Sequence, residues 1–306
     1  MNAEHGLRRV AIIGFGEAGS ILGEDLAKLG VEVVTYDVLL DSPATRSALI
    51  SRATAVRVLP VDTLREAVDE AQLVISAVTA SSAHVVARDA ARTLHVGQSF
   101  LDINSVSPAN RRSNARIVEA SGADYVEAAV MAAVPPQRLA VPMLLGGAKA
   151  TVLELMLRGL GMNVSTVASE IGTASAIKMC RSIVIKGLEA LAIECLFAAR
   201  AFGAEDKVLS SLDRSFPHMG WAGKLPDYLV SRVAEHGRRR AAEMREVAHT
   251  LGDIGLEPVM ASATARRQQW LIDRMSAKGI ACRHDEPITW RALADALSDE
   301  RSRGQP

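Results

Sequence analysis

Two distant stretches of this 306-residue chain hold residue types that could do chemistry. The first is Gly14-Phe15-Gly16-Glu17-Ala18-Gly19, directly after the apolar run Val10-Ala11-Ile12-Ile13. Glycines at this spacing let a strand turn tightly into a helix, bring backbone amides close to a pyrophosphate, and let helix and strand pack closely. A second apolar run, Val31 to Tyr36, ends at Asp37, which lies 21 residues beyond Gly16. An acid there accepts hydrogen bonds from an adenine ribose and repels a 2′-phosphate, so NAD rather than NADP is the expected cofactor. The basic residue near enough in sequence to change that preference is Arg46. The second stretch is Gly172 to Lys178, where Lys178 stands on the first turns of a long helical pattern. Ser182, Ile185 and Glu189 share its face. A lysine looking into a cleft is partly desolvated, its pKa falls, and it can exchange a proton with an alcohol near neutral pH. The same spacing also suits a lysine whose stem covers apolar surface while its head reaches water.

These residues need a scaffold, and the pattern around them predicts one. After the loop Val38 to Pro43, helices near 44–52 and 62–69 alternate with a strand at 55–59. The apolar run Leu73 to Val78 reads as a buried strand. It is followed by Thr79-Ala80-Ser81-Ser82 at the carboxyl edge, where ligands of open α/β sheets bind. A helix near 83–94, a strand at 99–103 and a helix from Pro108 to Ser121 come next, then strands at 125–130 and 142–145. A helix near 149–159 and a strand at 163–167 complete an α/β Rossmann domain, doubly wound, over residues 1–167. From 168 to 306 strand alternation is absent. A continuous helical pattern spans Gly172 to Arg200, and further helices are expected at 227–251, 258–275 and 289–297, with turn residues between Gly203 and Pro226. This half reads as an all-helical domain for substrate binding and dimerisation. The long helix carries apolar residues around its circumference and needs more cover than a few partner helices supply, so a homodimer or larger homo-oligomer is expected.

Composition excludes several classes. The 35 basic and 35 acidic residues cancel and 49% of the chain is hydrophobic, so neither a nucleic-acid footprint nor an acidic tail is visible. Arg238-Arg239-Arg240 lies in a helical pattern beside Glu235, Glu243 and Glu246 and reads as a salt-bridged face. Cys180, Cys195 and Cys282 are too widely spaced for a zinc site or disulfide frame, and no metal is expected. The segment Met1 to Arg9 is too polar for a signal peptide and no apolar run reaches membrane length, so a cytoplasmic protein without a membrane partner is expected. The tail Arg301 to Pro306 reads as frayed.

The chain resembles the β-hydroxyacid dehydrogenases, the superfamily of 3-hydroxyisobutyrate and 6-phosphogluconate dehydrogenases, in four segments across about residues 8 to 200. These are the Gly14–Gly19 turn, and Asp102-Ile103-Asn104-Ser105-Val106-Ser107-Pro108, which is similar to a D-x-S-T-x-x-P loop beside nicotinamide and substrate. The others are Gly122 through Gly147, which resembles the segment crossing the substrate site, and Gly172 to Lys178, which resembles the G-x-x-x-x-x-K motif. The resemblance implies that Lys178 is the acid/base, with Ser105 and Ser182 orienting the substrate. It implies that Gly14, Phe15, Gly16, Glu17, Ala18, Gly19, Asp37, Val78, Thr79 and Asn104 line the cofactor. The chain also departs from the pattern. Where the family has D-A-P-V-S-G-G, this sequence reads Glu127-Ala128-Ala129-Val130-Met131-Ala132-Ala133, so the serine and glycines that hold a substrate carboxylate are replaced by an apolar wall around Met131. Ser182 stands where the family has asparagine.

The implied activity is hydride transfer between NAD and a small β-hydroxy acid or related anionic alcohol. Arg181 and Arg240 are candidate anion partners, since a guanidinium grips a carboxylate or phosphate in bidentate fashion; a surface or structural role suits either arginine as well. Two other readings fit the same motifs: an imine reductase, and a dinucleotide-binding regulator without turnover.

Overall fold

The computed structural model describes residues 6–281 and 288–298; Cys282 and the tail from Arg301 lie outside the described residues. The chain forms two compact units, Met1–Met179 and Cys180–Pro306.

The first unit is built on one sheet. Its strands are β1 (Arg9–Ile13), β2 (Glu32–Tyr36), β3 (Leu59–Pro60), β4 (Leu73–Ser76), β5 (Ser99–Asp102), β6 (Asp124–Val130), β7 (Met143–Gly146) and β8 (Val164–Ala168). They lie in the order β3-β2-β1-β4-β5-β6-β7-β8. Pairing is parallel except between β6 and β7, where Glu127 stands opposite Gly146 and Val130 opposite Met143. The apolar runs become central strands because alternate residues bury opposite faces. Val10, Ile12 and Ile75 pack on one side with Leu22 and Leu26 of helix α1 (Glu17–Lys28). Ala11, Ile13 and Val74 pack on the other with Ala87 and Ala90 of α4 (Ala80–Ala90) and Val118 of α5 (Pro108–Glu119). Of the remaining helices, α2 (Pro43–Ala55), α6 (Val134–Gln137) and α7 (Ala150–Gly159) pack on the face of α1, and α3 (Leu64–Val68) on the face of α4 and α5.

The expected strand at 55–59 is mostly helix and turn. The buried Leu49 and Ala53 carry α2 on to Ala55, and Arg57 then reverses the chain at φ 60°. Only Leu59–Pro60 pairs, on the sheet's edge, where a proline without an N–H is tolerated. The segment after Asp37 also differs, forming a short 3₁₀ turn at Val38–Leu40.

Helix α8 (Thr173–Ala201) leaves the sheet unit and enters the second unit, which also holds α9 (Glu205–Ser215), α10 (Leu225–Asp253), α11 (Val259–Ala277) and α12 (Trp290–Leu297). Its core joins Ile193, Leu196, Val230, Val233, Leu271 and Trp290. Helix α9 falls in the stretch expected to be turns. Gly203 and Pro217 bound it rather than interrupt it, and its Leu209 is buried. Among the described residues no helix is long and apolar enough to cross a membrane, and no cluster of ligand types fit for a metal occurs.

Candidate active site at the carboxyl edge of the sheet

The glycine turn caps β1 at the carboxyl edge. Gly14 has φ +92°, and a Cβ there would lie 2.5 Å from Ala77 O; one at Gly19 would lie 2.0 Å from Gly14 O. These two glycines are demanded by the fold itself. Gly16 is different, because an added Cβ would meet nothing of the protein within 4 Å. It is the N-cap of α1, and no side chain caps it. The α1 N-terminus is thus uncrowded at Gly16, and a helix N-terminus favours an anion. Asp37 closes the other side. Its Oδ2 accepts from the Phe15 amide at 2.7 Å and its Oδ1 from the Leu39 amide at 2.9 Å. Each oxygen keeps a lone pair for a ribose hydroxyl. A bare cradle beside a fixed carboxylate fits a dinucleotide. The Phe15 side chain is buried, and its backbone is already engaged, the amide with Asp37 and the carbonyl with Arg52 Nη2.

Next along the edge, the side chain of Asn104 ties two strand ends together. Its Oδ1 accepts from the Val78 amide at 2.7 Å, and its Nδ2 donates to Ser76 Oγ at 2.9 Å and Asp102 Oδ1 at 2.7 Å. Asn104 is buried and shapes the loops, whereas Thr79 is exposed at the start of α4. Ser105 follows on the half-buried loop between β5 and α5. Lys178 Nζ on α8 reaches its Oγ at 2.6 Å, joining residues 73 positions apart. Met131 lies just past β6, its amide bonded to Pro142 O at 2.8 Å.

Beneath these loops is a buried charged network that was not singled out from the sequence. Arg111 of α5 is 1% exposed, and Asp102 and Glu127 are fully buried. Arg111 Nη1 lies 2.6 Å from Asp102 Oδ1 and 2.5 Å from Asp102 O, its Nη2 donates to Asn104 O, and its Nε lies 3.8 Å from Glu127 Oε2. Burial works against the Arg111 charge, but Asp102, Tyr125 and Glu127 outweigh it and raise its pKa. The Tyr125 hydroxyl donates to Asp102 Oδ2 at 2.8 Å, and burial, then Asp102, push its pKa well above the usual phenol range. Glu127 Oε1 accepts from the amides of Gly172 at 2.6 Å and Ala174 at 3.1 Å. The available signal is two acids, Asp102 and Glu127, set among apolar strand residues, with Arg111 on the helix between the two strands.

The other singled-out residues belong to the second unit. Ser182 is buried and Arg181 exposed. Arg240 is buried, with its Nε 2.7 Å from Glu189 Oε2 and its Nη2 on Glu189 Oε1, so its fork already holds a carboxylate of its own chain. Gln268 Nε2 donates to the same carboxylate at 3.2 Å. Lys186 Nζ lies 2.5 Å from Glu243 Oε2. Burial lowers the Lys186 pKa despite Glu243, and burial raises that of Glu189 despite Arg240.

Comparison with known proteins agrees with this geometry. Residues 9–167 match the NAD binding domain of 6-phosphogluconate dehydrogenase, and residues 199–271 match a domain of unknown function, DUF1932. A conserved hypothetical protein from Sinorhizobium meliloti is 34% identical, with 97% of this chain and 96% of that one covered and a TM-score of 0.77. A conserved protein of unknown function, described as structurally similar to 3-hydroxyacid dehydrogenases, is also 34% identical, with 87% of this chain and 97% of that one covered and a TM-score of 0.69. The 3-hydroxyisobutyrate dehydrogenase of Mycobacterium tuberculosis shares the fold at 16% identity, with 96% and 100% covered and a TM-score of 0.72. The cleared cradle at Gly16, the acid at the end of β2 and these matches lead to one assignment: the chain belongs to the 3-hydroxyacid and 6-phosphogluconate dehydrogenase-like superfamily, as an NAD-binding oxidoreductase of a small polar substrate.

Proposed function

We propose that the protein transfers hydride between NAD and a small β-hydroxy acid or related anionic alcohol, with Lys178 as general acid/base. The observation that carries this reading is the 2.6 Å approach of Lys178 Nζ to Ser105 Oγ at the carboxyl edge of a dinucleotide-binding sheet. The first-turn amides of α1 hold the pyrophosphate, and Asp37 takes the ribose hydroxyls. Bound NAD would supply the hydride acceptor for the alcohol carbon. The protein's part is the proton. Lys178 Nζ, as the neutral amine, takes it from the hydroxyl oxygen and returns it in the reverse direction. Ser105 Oγ lies within reach of that nitrogen and both donates and accepts, so it orients the hydroxyl toward Nζ. The alanines and Met131 after β6 favour a substrate with an apolar flank.

A panel of 3-hydroxy acids and phosphorylated or phosphonate alcohols, followed by NADH absorbance, tests the reading. NAD reduction by at least one member supports it. Turnover of imines alone, or of nothing in the panel despite tight NADH binding, would favour the reductase or regulator instead. The same reading includes a homo-oligomer, because α8 exposes Val184 and Leu191 over more than half of their surface. Light scattering at micromolar concentration should give a multiple of 32.6 kDa.

A further inference from the structure

Glu127 is a fully buried carboxylate in the middle of β6, facing an element 45 residues further along the chain. Its Oε1 accepts from Gly172 N and Ala174 N, and its Oε2 from Ser175 N at 3.4 Å. These are first-turn donors of α8, which a helix leaves without an internal partner. A Ser, Thr or Asp at the N-cap ordinarily satisfies such donors locally. Here the residue before the helix is Gly172 at φ +111°, where a Cβ would lie 2.6 Å from Arg112 Nη1. The acceptor comes from the sheet instead. A local cap fixes only the helix's own end, whereas a cap from a central strand fixes where the helix starts relative to that strand. Space is cleared for it as well, since a Cβ on Gly146 would lie 2.7 Å from Glu127 Oε1.

Arg111 links this cap to the other half of the site. Its Nε faces Glu127 Oε2, while its remaining nitrogens hold Asp102 O and Asn104 O at the start of the loop that carries Ser105. One guanidinium–carboxylate pair thus holds the loop of Ser105 and the helix of Lys178 together. Lys178 comes three residues after Ser175, a rise of about 4.5 Å along the axis, less than one turn beyond the last amide that Glu127 caps. We propose that Glu127 is the positioning residue of Lys178, its carboxylate fixing both the place and the electrostatic surroundings of the ammonium without touching substrate. The proposal rests on the reading of Lys178 as the acid/base and adds the device that aims it.

The charged groups around the start of α8 are Glu127 from β6, Arg111 and Arg112 from α5, Asp102 from β5 and Glu170 in the connection that precedes the helix. Removing the negative charge of Glu127 leaves the helix's positive end and the arginines unbalanced there, which favours the neutral amine at Lys178. The test is competitive labelling with acetic anhydride as a function of pH, read lysine by lysine by mass spectrometry, on wild type, Glu127→Gln and Glu127→Asp. The seven lysines of the chain give six internal controls. Hydrogen exchange of the peptide spanning residues 172–178 is measured alongside. Glu127→Gln should move the labelling midpoint of Lys178 to lower pH by roughly half a unit or more while the other six stay in place. Glu127→Asp keeps the charge but withdraws it by one methylene, so the midpoint should stay while exchange of the first turn quickens roughly tenfold. An unchanged midpoint and exchange in Glu127→Gln overturns the proposal, as does a common shift of all lysines. If neither variant folds with native circular dichroism, Glu127 serves the fold alone and the positioning role is rejected. Labelling needs no substrate, so a failure of Lys178 as the base would show in turnover and leave this result separate.

Discussion

Each unit buries an arginine against carboxylates, and the two clusters do different things. Arg111 lies among Asp102, Glu127 and the carbonyl of Asn104, directly beneath the loops that carry Asn104 and Ser105. Arg240 lies between helices with Glu189 and Gln268. The chemistry is the same, a guanidinium fork on a buried acid. The difference lies in what else the guanidinium holds: Arg111 also donates to the main-chain carbonyls of Asp102, Asn104 and Ala128, whereas Arg240 grips the Glu189 side chain. The buried pair of the first unit bears on the loop of Ser105 through the backbone it anchors as well as through its charge.

That distinction can be broken. The largest effect is expected for Arg111→Met, which strands two fully buried carboxylates. Loss of about 3–5 kcal/mol in denaturant unfolding is predicted, with weaker NADH binding because the Asn104 loop is released. Retained stability with intact binding would remove Arg111 from the account. Arg240→Met should also destabilise, by about 3 kcal/mol, since it leaves Glu189 buried without its cation. Here the double variant Glu189→Met/Arg240→Met should recover most of the loss and leave NADH affinity alone. If the double variant instead raised KM for an anionic substrate tenfold or more, Arg240 would be a ligand-binding group after all.

Asp37→Asn should weaken NADH binding roughly tenfold, the order expected when a charged acceptor becomes neutral, with a smaller change in unfolding free energy. Calorimetric titration of NADH against NADPH checks this, and an unchanged preference would separate Asp37 from cofactor choice. The smallest effect concerns pH. The folded state holds the Tyr125 phenol well above its ordinary pKa, through burial and then Asp102, so the unfolded chain loses that proton first. Stability from this group is complete below about pH 10 and falls as pH rises above it. Unfolding free energies should decline less steeply between pH 10 and 11 in Tyr125→Phe than in wild type. Parallel declines would place the alkaline sensitivity elsewhere.

How much of this was legible in the sequence depended on distance along the chain. The Gly14–Gly19 turn and Asp37 were readable because strand, turn, helix and acid follow one another within a single βαβ unit, each with its own local pattern. The long α8 was readable for the same reason, as a helical period without a breaker of consequence. Lys178 and Ser105 are 73 residues apart, and only the likeness to a known family suggested that they meet. Glu127 was visible only as the first residue of a changed substrate segment. No local rule says that an acid within an apolar strand will cap a helix 45 residues later. The family likeness makes Asn104 an expected cofactor contact, and no local pattern shows that its side chain ties the ends of β4 and β5 together. Helix α9 was hidden because its flanking Gly203 and Pro217 are stronger local signals than the apolar spacing of Val208, Leu209 and Leu212 between them.

The central claim is that Lys178 moves the proton, and turnover of Lys178→Ala on an alcohol identified by the NADH panel tests it most directly. The account predicts a fall in kcat of roughly 10²–10⁴ with the NADH dissociation constant nearly unchanged, because the glycine turn and Asp37 are left intact. Lys178→Arg should fail nearly as badly, since a guanidinium stays protonated and cannot accept the alcohol's proton. Near-normal turnover in Lys178→Ala would contradict the assignment outright, and loss of NADH binding along with turnover would make Lys178 a structural residue.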